Sequence, residues 1–230
     1  MEVAVVTVGD ELLAGETVDT NAAWLAGRLT DRGPTVRRIA TVPDRVADIA
    51  RTVNEFNAEY DAVVVTGGLG PTHDDVTMNG VAAAFGREME ASDAVETYLE
   101  EEIEYAREDL VDGTAEIPAG ARPLINEVGV APGCVIGSVY VLPGVPEEME
   151  SMFESVAPEF DGDRVHSTTV EADEPESALL DRIETLRERF GEVTVGSYPG
   201  PTVRIRLKGT DEATVEQAAA WLQARVESPE

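Results

Sequence analysis

The sequence predicts an α/β domain with a mostly parallel sheet, followed by a small α+β domain. Strand and helix patterns alternate three times before residue 86: β-branched runs at residues 3–8, 36–42 and 62–65 precede amphipathic helices at 20–32, 45–56 and 76–85. Such alternation is typical of a parallel sheet with helices on both faces. After residues 161–163 the pattern changes to strand, helix, strand, strand, helix. We therefore expect a first domain at residues 1–161 and a second at 162–230.

The composition is that of a globular and strongly acidic protein. Apolar residues make up 43% of the chain, and 46 acidic against 17 basic residues give a formal charge of -29. This charge repels nucleic-acid backbones and anionic membranes, so we expect neither as a partner unless a local basic patch intervenes. Lys208 is the only lysine. Together with the acid excess, this skew predicts a protein kept soluble in a salt-rich cytoplasm.

Cys134 is the only cysteine, which excludes an intrachain disulfide and agrees with a reducing compartment. No histidine lies near it in the sequence, so we interpret it as a core residue rather than a nucleophile. The chain has no cleavable signal segment and no apolar run of membrane length. These features predict a cytoplasmic protein without a membrane span.

Residues 61–77 carry the strongest chemical pattern. A buried-strand run ends directly in Gly67, Gly68 and Gly70, whose bare amides suit a phosphate or another oxyanion. Asp74 and Asp75 follow at the start of the next helix, and paired carboxylates suit a hard cation. The pattern indicates a metal-bridged phosphate ester. The structural alternative is an ordinary turn in which Asp75 caps the helix at 76–85.

Other polar loops also follow predicted strands. Asp10 and Glu11 come after the first strand and Asp44 after the second, where parallel sheets bind ligands, although Asp44 also suits a helix cap. Asn21 is either a helix cap or a ligand contact. We expect residues 117–133 to be irregular and residues 135–142 to form a strand interrupted at Gly137. A helix then begins at Pro146, and its free amides suit an anion.

Several of these motifs resemble a known family in chain order. They are residues 9–13 (GDELL), 19–21 (DTN), 66–72 (TGGLGPT), 74–77 (DDVT), 126–133 (NEVGVAPG), 143–146 (PGVP) and 148–149 (EM). Together they resemble the N-terminal region of the competence/damage-inducible CinA proteins, within the molybdopterin-binding domain family of molybdenum cofactor biosynthesis. The segment from residue 165 onward is similar to the small KH-like domain that follows in CinA.

The resemblance implies a three-layer α/β fold and a ligand site, with divalent-metal-dependent pyrophosphatase activity on ADP-ribose or a related dinucleotide such as NAD or FAD. It implies Asp74 and Asp75 as catalytic residues, and Mg²⁺, Mn²⁺ or Co²⁺ as the cofactor. The metal ligands would be Asp10, Glu11, Asp74 and Asp75. The ligand contacts would be Thr66, Gly67, Gly68, Gly70, Thr72, Asn21, Asn126, Pro143, Gly144 and Glu148.

Three function classes follow. The first is the hydrolase; the second is a non-hydrolytic module that binds molybdopterin or a nucleotide; the third is a purely structural interaction protein. The small second domain and the habits of relatives make a homodimer a further expectation, and K⁺ is a further candidate cofactor. A separate amidase partner would replace CinA's C-terminal amidase domain. The chain departs from relatives at His73, where lysine is usual, and at Glu127 and Val130, where proline and threonine are usual.

Folding should depend on salt because so high a charge destabilises the compact state unless it is screened. We expect the far-ultraviolet circular dichroism of the chain to lose native signal as KCl is lowered from molar to millimolar concentration. An unchanged spectrum over that range would contradict the halophilic interpretation.

Overall fold

The computed structural model of the protein describes residues 1–101, 113–162, 165–227 and 229. The chain divides into two compact units. One comprises Met1–Thr30 and Pro34–Gly162, and the other comprises Asp31–Gly33 and Asp163–Glu230. Each unit has its own hydrophobic core.

The first unit alternates strands and helices through its first half. Its elements are β1 (Glu2–Val8), α1 (Asp10–Leu13), α2 (Thr20–Arg32), β2 (Thr35–Val42), α3 (Val46–Glu59), β3 (Ala62–Gly67), α4 (Thr77–Ala84), β4 (Met89–Ala91), α5 (Asp93–Glu101), β5 (Glu116–Pro118), β6 (Arg122–Leu124), β7 (Gly133–Ile136), β8 (Val139–Pro143) and α6 (Pro146–Val156). A 3-10 turn at Ala157–Phe160 follows α6.

The main sheet has six strands in the order β2-β1-β3-β8-β7-β6. Strands β2, β1, β3 and β8 run parallel to one another. Strand β7 is antiparallel to β8, and β6 is antiparallel to β7. Successive side chains of a strand point to opposite faces, so β1 packs Val5 against α2 and α6 and packs Val6 against α3 and α4. The result is the predicted three-layer α/β arrangement with a mostly parallel sheet.

The predicted elements differ from the structure mainly between residues 113 and 143. Residues 117–133, expected to be irregular, contain β6 and parts of β5 and β7. The expected single strand at 135–142 is instead the antiparallel pair β7 and β8, because Gly137 adopts a left-handed backbone with φ of 58° and reverses the chain. The acidic helix expected from residue 92 to 109 begins as α5, and residues 102–112 lie outside the described part.

Neither the helix cap expected at Asp44 nor the alternative interpretation of Asp75 as a cap agrees with the structure. Asp44 does not cap α3, since Arg45 is at the cap position and no side chain bonds there; the Asp44 carboxylate instead accepts from the Asp10 amide at 2.8 Å. At α4 the cap position is occupied by Val76, again without a side-chain bond, so Asp75 is not a cap. By contrast, Asp19 accepts from the Ala22 amide at 2.8 Å at the start of α2.

The second unit contains β9 (His166–Ala172), α7 (Glu176–Arg189), β10 (Thr194–Tyr198), β11 (Val203–Gly209) and α8 (Glu212–Gln223). Its strands form an antiparallel sheet in the order β10-β11-β9. Ile205 and Leu207 of β11 are fully buried in one core with residues of both helices, while Arg204 and Arg206 are exposed. The apolar and basic alternation of this strand therefore marks one covered and one open face.

Cys134 lies in β7 with no exposed surface. Burial raises the pKa of its thiol to about 12, so the thiol stays protonated at neutral pH. The interpretation of Cys134 as a core residue agrees with this environment. Within the described residues, none of the helices combines the length and apolar character needed to cross a membrane.

The C-terminal end of the second unit is held by one carboxylate. Arg182 donates to Glu174 Oε1 at 2.7 Å, and the Glu227 amide donates to the same oxygen at 3.0 Å. The Arg182 side chain also bonds the carbonyls of Ala178 and Arg225. Hydrogen bonds from Arg182 lower the pKa of Glu174.

Because the folded-state pKa of Glu174 is lowered, its contribution to stability is present at neutral pH and is lost as pH falls through that lowered pKa. We expect Glu174→Gln to reduce the free energy of unfolding at pH 7 by about 1–2 kcal/mol, measured by urea unfolding. The difference from wild type should shrink in acid. Glu184→Gln, at an exposed site of α7, is the control and should be neutral; equal effects of the two variants would contradict the assignment.

Candidate functional site

A cavity of about 700 Å³ lies in the first unit at the carboxyl ends of β1, β3 and β8. The register places Gly67 of β3 beside Pro143 of β8, so the loops that follow these strands leave the sheet at one level. The cavity is lined by glycines of these three loops: Gly9, Gly67, Gly68, Gly70 and Gly144. This is the edge of a parallel sheet at which ligands are expected.

The loops after β3 and β8 touch through bare backbone. A Cβ added to Gly144 would lie 3.2 Å from the carbonyl carbon of Gly67. Thr66 donates its hydroxyl hydrogen to the Pro143 carbonyl, and Asn21 donates its side-chain amide to the Gly144 carbonyl at 2.7 Å. Asn21 thus joins α2 to the Pro-Gly loop and is not the cap of its helix. Its Oδ1 is buried and has no hydrogen-bond partner among the described residues.

Asp75 is fixed by the glycine loop in front of it. Added Cβ atoms at Gly68 and Gly70 would collide with the Asp75 carboxylate, with a separation of 2.8 Å from Oδ2 at Gly70. The Thr72 amide donates to Asp75 Oδ2 at 3.3 Å, and the Thr72 hydroxyl also bonds that oxygen. The absence of side chains at the two glycines therefore lets the carboxylate lie against the loop backbone.

Asp74 is more exposed than Asp75 but shares the same hydroxyl. Thr72 Oγ1 is 2.7 Å from Asp74 Oδ1. This hydrogen bond, with one from the Asp74 backbone amide and the nearby His73, lowers the pKa of Asp74. Asp74 therefore remains ionised well into the acid range. Asp74 and Asp75 therefore both approach the Thr72 hydroxyl.

Two further carboxylates lie against glycines elsewhere in the same unit. A Cβ at Gly9 would lie 2.5 Å from Glu11 Oε1, and a Cβ at Gly129 would lie 2.5 Å from the Glu148 carboxyl carbon. Asn126 donates to Glu148 Oε2 at 2.7 Å. Its Oδ1 accepts from the Gly129 amide at 2.8 Å. Asn126 therefore holds the loop and Glu148 together rather than facing the cavity.

The charged side chains that line the cavity among the described residues are all acidic. Among the described residues, no lysine, arginine or histidine lines it. The acidic residues that line it are Glu11, Asp19, Asp44, Asp74, Asp75 and Glu148. His73, at the position where lysine is usual in relatives, has a side chain 99% exposed and lies outside the lining. An anionic ligand therefore meets repulsion here unless cations accompany it.

The described residues include no group of three or more His, Cys, Asp or Glu side chains placed to hold a metal. Mg²⁺ does not need such a group, because proteins commonly bind it through one or two carboxylates together with substrate phosphates and water. The pair at Asp74 and Asp75 fits this mode. The further carboxylates that line the cavity are Glu11, Asp19, Asp44 and Glu148.

Most of the predicted site residues come together in the structure. The cavity is lined by Glu11, Asn21, Thr66, Gly67, Gly68, Gly70, Asp74, Asp75, Pro143, Gly144 and Glu148. Three do not line it: Asp10, whose side chain is exposed while its amide bonds Asp44, and the two organising residues Thr72 and Asn126. A metal role for Asp10 is accordingly not supported by its position.

Sequence reasoning missed an apolar part of the cavity. Val18, Val130 and Val145 line it and are exposed by 80%, 36% and 53%. Exposed apolar side chains gathered at one cavity are a common feature of ligand sites. Three isolated valines in separate loops carry no periodic pattern, so the sequence did not predict that they form an apolar surface, although Val130 and Val145 lie in two of the family motifs.

Comparisons with known proteins agree with this architecture. Residues 4–162 match the family model of the probable molybdopterin binding domain, and residues 164–229 match the model of the FAD synthase middle domain. A protein from Archaeoglobus fulgidus is 38% identical over 219 residues, covering 95% of each chain. A CinA-like protein from Geobacter sp. is 37% identical; the match covers 98% of this chain and 58% of that protein.

A solved structure extends the likeness to the fold. It is the protein CinA of unknown function from Thermoplasma acidophilum, with a TM-score of 0.64 and 36% identity, covering 70% of this chain and 100% of that one. The motifs at the cavity, the family model over most of the chain and this structure agree. The chain therefore belongs to the molybdopterin-binding domain family, among the CinA-like proteins.

Proposed function

We propose that the cavity binds a nucleotide diphosphate as its divalent-metal complex and hydrolyses the phosphoanhydride bond. ADP-ribose and related dinucleotides are the substrate class. The observation that carries this proposal is the lining itself, which combines bare glycine amides with carboxylates and, among the described residues, no cationic side chain. Amides suit phosphate oxygens, and the carboxylates require a cation to accompany them.

The negative charge of the cavity favours binding of the nucleotide together with its metal ion. A free diphosphate would bring negative charge into a cavity that is already anionic, whereas its Mg²⁺ complex carries the neutralising charge with it. Asp74 and Asp75 would hold the metal, with Mn²⁺ and Co²⁺ as alternatives. Binding should therefore require both metal and nucleotide rather than either alone.

The residues at the cavity would then bind and orient the substrate. Gly67, Gly68 and Gly70 offer amides to the phosphoryl oxygens, and Thr72 orients Asp75 against that loop. Asn21 and Gly144 close the opposite side through their hydrogen bond. A bound divalent ion would polarise the phosphoryl group and favour ionisation of the attacking water.

The apolar part of the cavity would receive the other end of the substrate. Val18, Val130 and Val145 offer carbon surface to a flat heterocycle such as adenine. A dinucleotide would then use both regions, with its phosphates at the glycines and a base at the valines. A volume of about 700 Å³ is of the size that such ligands require.

A second candidate is a binding module without hydrolysis, for molybdopterin or a nucleotide. It is favoured by the lack of a group of three potential metal ligands among the described residues and by the name of the matching family model. Incubation with ADP-ribose, NAD and FAD at high KCl with Mg²⁺, Mn²⁺ or Co²⁺, followed by chromatography, separates the two. Tight pterin binding by calorimetry without any product would decide for the module.

Asp75→Asn should abolish metal-dependent cleavage while the protein stays folded, because the amide keeps the shape of the carboxylate but loses its charge. We expect a loss of at least about 100-fold in rate, measured by product formation from ADP-ribose with circular dichroism as the folding check. Glu55→Gln, exposed on α3, should retain wild-type activity. A wild-type rate in Asp75→Asn would remove Asp75 from the mechanism.

Gly68→Ala tests the packing of the loop on Asp75. The added methyl group would collide with Asp75 Oδ1 and push the carboxylate away from its position. We expect metal-dependent binding and cleavage to weaken by about 10–100-fold, with little loss of fold. Gly27→Ala is the matched control, because a Cβ there meets nothing within 4 Å in α2; it should leave activity unchanged and stabilise the helix slightly. Equal activity of the two variants would show that the contact is unimportant.

A further inference from the structure

Two buried polar atoms without partners flank the last two residues of β3. Within the residues that the structure describes, three buried side-chain polar atoms have no hydrogen-bond partner. Ser197 Oγ lies in the second unit, whereas Asn21 Oδ1 and Thr77 Oγ1 both belong to the first. Buried polar groups are almost always paired in folded proteins, because an unpaired one has lost its hydrogen bonds to water. Two of them at the end of one strand therefore point to a ligand at that place.

The two atoms lie on opposite faces of the main sheet. Thr66 and Gly67 are consecutive in β3, so they face opposite sides. On one side, Asn21 Nδ2 of α2 is 3.4 Å from Thr66 Oγ1. On the other side, a Cβ added to Gly67 would collide with Oγ1 of Thr77, the first residue of α4. Thr77 is thus in direct contact with the backbone from which the glycine loop begins.

The packing of α4 fixes the position of the Thr77 hydroxyl. Thr77 has no exposed surface. A Cβ added to Gly80 would lie 2.5 Å from Ile49 Cγ2, so α4 lies in close contact with α3. In the loop before α4, by contrast, residues 68–70 are half-buried and residues 71–74 are exposed. The loop has fewer core contacts than the helix, so the loop is the part that can adjust to a ligand.

The hydroxyl of Thr77 does not stabilise the conformation seen in the structure. Valine has the same shape as threonine and would fill the same space without an unpaired polar atom. The hydroxyl does not cap α4 either, since the cap position is Val76 and no side chain bonds there. A group that is unfavourable in one state of a protein contributes only through another state in which it is paired. A rearranged glycine loop supplies such a state.

The geometry of the peptide group indicates which loop atom the hydroxyl would bond. A trans peptide is planar, and its N–H and C=O groups point in opposite directions. An amide of Gly68 that turns toward a phosphate therefore turns the Gly67 carbonyl away from that phosphate. In the structure this carbonyl oxygen lies beside the Pro-Gly loop, 3.3 Å from the position of a Cβ on Gly144. Two adjacent glycines allow the peptide between them to rotate at low cost.

From these contacts we propose that Thr77 is a positioning residue of the phosphate site. Its hydroxyl donates to the Gly67 carbonyl when the Gly68 amide binds a phosphoryl oxygen. Thr77 does not line the cavity, so it acts through Gly67 rather than on the ligand. The inference rests on the proposed binding of a nucleotide diphosphate at this loop. Because the hydroxyl is uncharged, its contribution to affinity should not change with KCl concentration.

The test compares ligand binding with stability in the full chain. Binding is measured by calorimetry with the non-hydrolysable α,β-methylene analogue of ADP-ribose and Mg²⁺, at KCl concentrations at which the chain is folded. Stability is measured by urea unfolding without ligand. Thr77→Val should weaken binding by about fivefold to tenfold, while the urea midpoint stays the same or rises. Thr77→Ser keeps the hydroxyl and should bind within about twofold of wild type, at a lower midpoint because a buried methyl group is lost.

The opposite order of affinity and stability distinguishes positioning from a merely structural role. Thr30→Val is the matched control, because Thr30 is partly buried in α2 and donates to the Ala26 carbonyl at 2.7 Å; it should lower the midpoint slightly and leave binding unchanged. Equal binding by wild type and Thr77→Val would overturn the inference and leave the proposed function intact. So would a fall in the midpoint of Thr77→Val, or binding by Thr77→Ser as weak as that of Thr77→Val. Absence of binding by the wild type with Mg²⁺, Mn²⁺ or Co²⁺ would contradict the proposed function itself, and this inference with it.

Discussion

The parallel pairing of β3 with β1 on one side and β8 on the other is the constraint on which the first unit depends. The three strands are buried on both faces, which is why their sequences are continuous apolar runs. Their register brings three loops to one level. Since Gly67 and Gly144 carry no side chains, two of these loops can touch through their backbones. The cavity forms because these strands end at the same level and because glycines in the loops leave space beside the backbone.

Several carboxylates of this site pack directly against glycines. Each of three separate carboxylates, at Glu11, Asp75 and Glu148, occupies space that a side chain on a neighbouring glycine would fill. Hydrogen bonds from Thr72 to Asp75 and from Asn126 to Glu148 hold two of these carboxylates in place. The charged side chains that line the cavity among the described residues are all acidic.

The sequence predicted the long elements well because burial leaves a strong periodic pattern in them. It failed for β5, β6 and α1, which have three or four residues each and too few positions to show a period. It also misread Gly137 as an interruption of one strand, although a glycine between two short apolar runs equally suits a hairpin. For the site, glycines and acids were predicted from loop positions, whereas hydrogen bonds such as Asn21 to Gly144 join residues 123 positions apart and have no local signature.

Acidic residues carry little functional information in a chain with 46 of them. A run of acids such as that in α5 reflects a solvated surface. What distinguishes Asp75 from those residues is its environment rather than its type: it lies against two glycines and accepts from a backbone amide. Glu11 and Glu148 have the same kind of neighbour. In this chain, a neighbouring glycine therefore marks three of the carboxylates that line the cavity, which residue type alone does not.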